Sequence, residues 1–160
     1  MWVVLLDRMD PTRLRRCLEP GLSILVGTAD SAGTPSCCRG IAIQSMDEFE
    51  TITVFLPVAT SHDTIHNVAT TKQLAVVATH PRDNFATQFK GTTLDARLAR
   101  EDESAFVRQR LDALADVLDR IGVPRRLTHR VAHWPAFALT MRVEQVFDQT
   151  PGPKAGSRVR

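Results

Sequence analysis

Apolar positions along this chain recur first in the two-residue rhythm of strands, and later in the longer rhythm of a helix. The runs "LSILVGTA" and "PSCCRGIAIQS" are joined by "DSAGT", whose Asp30 and Gly33 supply turn chemistry, so residues 22 to 46 read as a β-hairpin. "MDEFE" is a second turn leading into a third strand at residues 51 to 58. A helical segment from Ser61 to about Thr71 precedes a fourth strand, "QLAVVATH", and the proline-containing loop "PRDN". The fifth strand, "FATQFKGTT", alternates cleanly: Phe85, Thr87 and Phe89 face one way, Gln88 and Lys90 the other. One side suits a core; the other meets water, a ligand or a partner.

Residues 101 to 121 then switch period, with Val107, Leu111, Leu114, Leu118 and Ile121 on one helical face and Gly122 and Pro124 as the stop. A shorter helix is expected from Arg125 to His133. A sixth strand, "AFALTMRVEQVF", follows, with Phe137, Leu139, Met141, Val143 and Phe147 on one face. Near the N-terminus, "DPTRLRRCLEPG" has Asp10 as N-cap, Pro11 at the first helical position and Pro20-Gly21 as a stop. Mostly sequential antiparallel strands with alternating faces favour a small barrel over an open parallel sheet, so the fold class is mainly β with helices, α+β. We expect one domain over residues 1 to 147, with an N-terminal helix and a helical insertion at about 101 to 133. The tail 148 to 160, rich in Pro, Gly and basic residues, is expected to be extended or flexible.

The 160 residues suffice for one core, and the net charge of +2 has acids and bases interspersed. No broad basic face for nucleic acid is indicated, and no nucleic-acid partner is expected. "MWVVLL" is halted by Asp7 and Arg8, too short for a signal-peptide core or a membrane span, so a cytoplasmic chain without membrane attachment is expected. Cys17, Cys37 and Cys38 are odd in number and lack Cys-x-x-Cys spacing; they read as reduced packing thiols.

Two readings compete for "SHDTIHNV". His62 and His66 lie one helical turn apart, as in a zinc-binding His-Glu-x-x-His helix, but Asp63 stands where Glu is needed and no third ligand follows. His129 and His133 repeat the spacing, which leaves a four-histidine site open; no metal is expected. Alternatively, the helix start, with Thr60, Ser61 and unpaired backbone N–H groups, faces an anion such as phosphate, with His62 adding charge when protonated. The plainer role of Thr60 or Ser61 is to cap the helix.

In order and spacing, "ILVGTADSAGTPS", "TVFLPVATSHDTIHNVATTKQLAVVA" and "TQFKG" resemble the FMN-binding split-barrel family that includes the pyridoxamine 5'-phosphate oxidases; "VFDQTPGPKAG" is similar to the tail of an uncharacterised subgroup. The resemblance implies a six-stranded antiparallel split β-barrel and a homodimer with FMN in grooves between the subunits. It places the cofactor phosphate near the helix after the third strand. It also implies cofactor contacts from Arg39 and Gly40 in the second strand, from Thr60, Ser61, His62 and Thr64 at the helix start, and from Gln88 and Lys90. Where oxidases acting on pyridoxamine phosphate carry an Arg-Lys pair, this chain has His62, Asp63 and Thr64, and it contains no tyrosine. The expected function is therefore flavin-dependent oxidoreduction of an unknown small molecule, with no catalytic side chain assigned. The alternative is a non-catalytic split barrel, or one binding haem or a deazaflavin, with His62, His66, His129 and His133 as candidate axial ligands.

Overall fold

A computed structural model describes residues 10 to 159; the stretch "MWVVLL" lies outside them. The chain runs α1 (Pro11–Arg16), β1 (Ser23–Ala29), β2 (Pro35–Gly40), β3 (Ala42–Gln44), β4 (Thr51–Pro57), α2 (His62–Thr71) and β5 (Gln73–Thr79). It continues with β6 (Ala86–Leu98), α3 (Ser104–Asp119), α4 (Arg125–Thr128) and β7 (Ala136–Asp148). All seven strands form one antiparallel sheet in the order β2-β1-β5-β6-β7-β4-β3. No helix among the described residues is long and apolar enough to cross a membrane.

Seven strands stand where six were expected because "PSCCRGIAIQS" breaks at Ile41. Its first part pairs with β1 and its second with β4, so the chain steps there from one sheet edge to the other and the curled sheet becomes a split barrel. Gly40 permits the step: a Cβ on it would meet Ile24 Cγ2 at 2.7 Å and Val54 Cγ2 at 3.0 Å. The core inside holds Ile24, Val26, Ile52, Val54, Leu56, Val76, Phe89 and Leu139. Helix α2 closes it, with Val68 buried in the core. A second apolar cluster on the outside joins Val107 and Leu111 of α3 to Ile41, Ala42, Phe55 and Ala138. Consecutive residues Val54 and Phe55 therefore serve opposite sides of β4.

The helical expectations are trimmed at their ends. A 3-10 turn occupies Glu101–Glu103, and Ile121 falls beyond α3, 51% exposed. Helix α4 stops at Thr128 instead of reaching His133, because the chain tightens into successive short turns at Arg130 and Val131. "MDEFE" is more than a turn: Phe49, at φ 68°, is buried and stacks on Phe89 with ring centroids 5.6 Å apart. The tail folds back on β7. Its Val159 N–H donates to the Val146 carbonyl, and its side chain packs against the main core.

Strand β7 departs from the expected alternation. Gly91 pairs with Val143 but Lys90 pairs with Gln145, so a bulge at Glu144 inserts one residue and reverses the faces beyond it. Val146 enters the core in place of Phe147, which turns outward. Gly91 is required here, since its Cβ would lie 1.9 Å from the Arg142 carbonyl oxygen. We expect Gly91→Ala to cost at least about 2 kcal/mol in urea unfolding, whereas Gly27→Ala, whose Cβ meets nothing within 4 Å, stays within about 0.5 kcal/mol of the parent.

Glu103, largely buried before α3, accepts hydrogen bonds from Arg97 Nη1 and Nη2, each 2.8 Å, and from the Arg100 backbone N–H. The Arg97 guanidinium above all, then the Arg100 amide, holds its pKa down to about 2 from 4.5. A depressed carboxylate stabilises the fold above its ordinary pKa, and this contribution is lost as pH falls from about 4.5 towards 2. Glu103→Gln should flatten that part of the acid-unfolding profile; a profile identical to the parent's would remove Glu103 from it.

Candidate functional site

Helix α3 covers the outside of the sheet at β3, β4 and β7, and α2 lies on the inner side of β1 and β2. Among the described residues, no helix covers the outer face of β2, β1, β5 and β6. Strand register aligns two rows of side chains across it. The first runs Arg39, Leu25, Val77, Gln88 and Phe147; the second runs Cys37, Gly27, Ala75, Lys90 and Gln145. The middle of both rows is apolar or small, and Leu25 is 44% exposed. Together they make a flat apolar strip with polar groups at both ends. Cys37 sits on this exposed face and not among packing residues, unlike buried Cys17 and Cys38.

At the β6 end, Gln88 Oε1 accepts a hydrogen bond from Gln149 Nε2 at 3.1 Å, and Lys90 Nζ lies 4.9 Å from the Phe147 ring centroid. At the β2 end, Arg39 Nη1 donates to Ser23 Oγ at 3.1 Å, and among the described residues Arg39 has no carboxylate partner. This leaves a guanidinium with donors to spare.

The start of α2 is built differently. Ser61 is fully buried and its hydroxyl donates to the Pro57 carbonyl at 2.6 Å, while buried Thr64 donates to Cys38 Sγ at 3.2 Å. Both hydroxyls face the protein. Burial pushes the Cys38 thiol pKa up, which keeps it a neutral acceptor. No side chain caps the helix, so the first-turn backbone N–H groups remain the donors at this end. Thr60 is exposed in the preceding 3-10 turn, and His62 and Asp63 are 93% and 81% exposed, with His62 Nδ1 3.4 Å from Asp63 Oδ1. Gly40 is a packing position, as described above.

Cys38 points inward to α2 and Arg39 outward, so the helix start and the guanidinium flank edge strand β2 from its two sides. Arg39, Gln88 and Lys90 share the bare face; Thr60, Ser61, His62 and Thr64 do not join them. Among the described residues no group of three or more His, Cys, Asp or Glu is placed to hold a metal. His129 Nε2 lies 3.0 Å from Asp112 Oδ1, and His133 Nδ1 lies 3.3 Å from the Val131 carbonyl.

Sequence reasoning missed Phe147, Gln149, Leu25 and Val77 as members of this face. The outward phase of β1 and β5 was available to it; the bulge that brings Phe147 across was not.

No family model matches the chain, and no curated protein matches it. Solved structures do. HupZ from Group A Streptococcus superposes with a TM-score of 0.54 at 17% identity, over 92% of this chain and 100% of that one. An FMN-binding protein from Syntrophomonas wolfei gives 0.54 at 10% identity, over 89% of each chain. The chain is a split barrel. A candidate pyridoxamine 5'-phosphate oxidase of Lactobacillus delbrueckii gives 0.53 at 13% identity, over 90% of this split barrel and 97% of that chain. These identities make the likeness one of fold.

The inward hydroxyl of Ser61 generates a prediction. Ser61→Ala should lower stability by about 1–2 kcal/mol in chemical denaturation, since it strips a buried carbonyl of its donor. His62→Ala, on an exposed side chain, should stay within about 0.5 kcal/mol.

Proposed function

We propose that this protein binds FMN on the bare sheet face and uses it in oxidoreduction of a small molecule. The observation that carries the reading is the flat apolar strip of Leu25, Gly27, Ala75 and Val77, closed at one end by Gln88 and Lys90 and at the other by Arg39, which has no carboxylate partner among the described residues. The strip suits a planar ring: among the described residues nothing lies within 4 Å of where a Gly27 Cβ would stand, so the strip is open at that point. FMN supplies hydride or electron transfer when bound.

The chain's own residues bind and orient it. Gln88 can turn its amide from Gln149 to the polar edge of the ring. Lys90, held over Phe147, brings positive charge that favours an electron-rich ring. Arg39 holds the phosphate from one side of β2, and the uncapped N–H groups of α2 face it from the other. Asp63, though it carries the wrong sign for a phosphate, is 81% exposed and well screened. FMN-binding and oxidase-like neighbours of the same fold support this reading. FMN is favoured over haem because His62, His66, His129 and His133 are absent from both rows. A second copy of the chain is the natural cover for the strip, so we assign the protein as a homodimer.

The first measurement is a visible spectrum after FMN addition and removal of the excess. A retained flavin spectrum supports the reading; a colourless protein overturns it and directs titration to a deazaflavin. Arg39→Leu should weaken FMN about tenfold or more and leave riboflavin binding unchanged, because a charge-assisted bond to phosphate is worth about 1.5–3 kcal/mol. Gln88→Leu should weaken both ligands or shift the flavin reduction potential. Equal losses for FMN and riboflavin in the Arg39 variant would remove the phosphate from that end.

A further inference from the structure

Strand β6 outruns its neighbour β5. The two pair only from Ala86 to Thr92, and the Thr93 N–H then donates to the Lys72 carbonyl just before β5 begins. From Leu94 to Leu98 the strand is held by β7 on one side, and among the described residues no strand pairs with the other. The Ala99 N–H donates to the Ala136 carbonyl of β7. By the alternation of an antiparallel ladder Arg97 bonds β7 too, whereas Ala96 and Leu98 point their N–H and C=O groups to the open side. Leu94 and Leu98 are 47% and 61% exposed there, and Ala96 is exposed between them.

We infer that a second copy of this chain pairs with this edge, antiparallel and about a two-fold axis at Ala96. The order of charges in "LDARL" carries the inference. Set against its own reverse, it brings Asp95 opposite the partner's Arg97, Arg97 opposite the partner's Asp95, and Ala96 opposite the partner's Ala96. Opposite charges directly across an antiparallel pair attract. An edge guarded against self-pairing carries like charges or a proline, and this one has neither. Both side chains have capacity left. Arg97 gives Nη1 and Nη2 to Glu103 and the Leu98 carbonyl, while its Nε lies 4.0 Å from Asp95, too far for a hydrogen bond. The Asp95 side chain is 61% exposed and has no closer partner among the described residues. At the axis Ala96 exchanges two backbone hydrogen bonds with its counterpart and adds no bulk. A peptide of another sequence would meet the same free backbone, but only a copy of this chain brings the reversed charges by symmetry. The contact lies at the edge of the sheet, away from the strip, so it rests neither on the flavin reading nor on cover of the strip.

The test uses the cofactor-free full chain, with exposed Cys37 removed by Cys37→Ser. Ala96→Cys in this background should form a reducible covalent dimer under mild oxidation. Leu98→Cys, at a more exposed position, should not, because the axis holds its two copies about 13 Å apart along the strands and a disulfide spans at most about 7 Å. In sedimentation, Asp95→Arg, which sets like charges across the axis twice, should weaken association about tenfold or more at low salt and less at high salt. Ala96→Pro removes the outward N–H alone and should do the same at every salt concentration, with the circular dichroism of the parent. Equal cross-linking at positions 96 and 98, a parent that stays monomeric, or an association unchanged by Asp95→Arg and Ala96→Pro would each overturn the inference.

Discussion

The close approach of β6 and β7 at Gly91 governs which side chains face inward over much of this barrel. These two strands are the longest, at 13 residues each, and every other strand is attached to one side or other of the pair. A backbone carbonyl stands where a Cβ would be, so the strands meet there without any side chain between them. The extra residue at Glu144 then reverses the faces of β7. Val146 seals the core and Phe147 turns out beside Gln88 and Lys90. The same irregularity thus completes the interior and places an aromatic ring on the candidate site.

The interior and the site were legible to different degrees. Alternation in "FATQFKGTT" put Phe89 inside and Gln88 and Lys90 outside, and the structure keeps both, because a strand has only two faces. Phe147 was placed on the wrong side because a bulge leaves no reliable mark on hydrophobic patterning; Val146 and Phe147 are both apolar and either could have filled the core. Phe49 was hidden for a related reason. A polar-looking turn gave no sign that one residue, in a left-handed conformation, would be carried back into the core to stack on Phe89.

At the helix start, residue types suggested an anion site and their bonding qualifies it. Serine and threonine hydroxyls satisfy nearby backbone carbonyls as readily as they satisfy ligands, and Ser61 does so within four residues. The nearest acceptor wins when a side chain is buried. On the reading proposed above, a phosphate would use the backbone of α2 together with the Arg39 guanidinium on the other side of β2. Arg39 could be noticed in sequence as a strand arginine, but its lack of a carboxylate partner among the described residues could not.

The distribution of helices explains why this face remains available. A curled sheet presents an inside that must be filled and an outside that must be covered or made polar. Helix α2 serves the inside and α3 covers β3, β4 and β7, spending both long helices. The chain could then have made the outer face of β1 and β5 polar, as solvated sheets do. Instead it keeps Leu25, Val77 and Ala75 there, with glycine at position 27, and reserves charge for the ends of the rows. Apolar outward positions on central strands add nothing to the stability of a lone chain, whereas they favour a planar ligand and a covering partner through the area each removes from water. The placement of Arg39 and Lys90 at opposite ends adds polarity only where such a ligand carries its own polar groups.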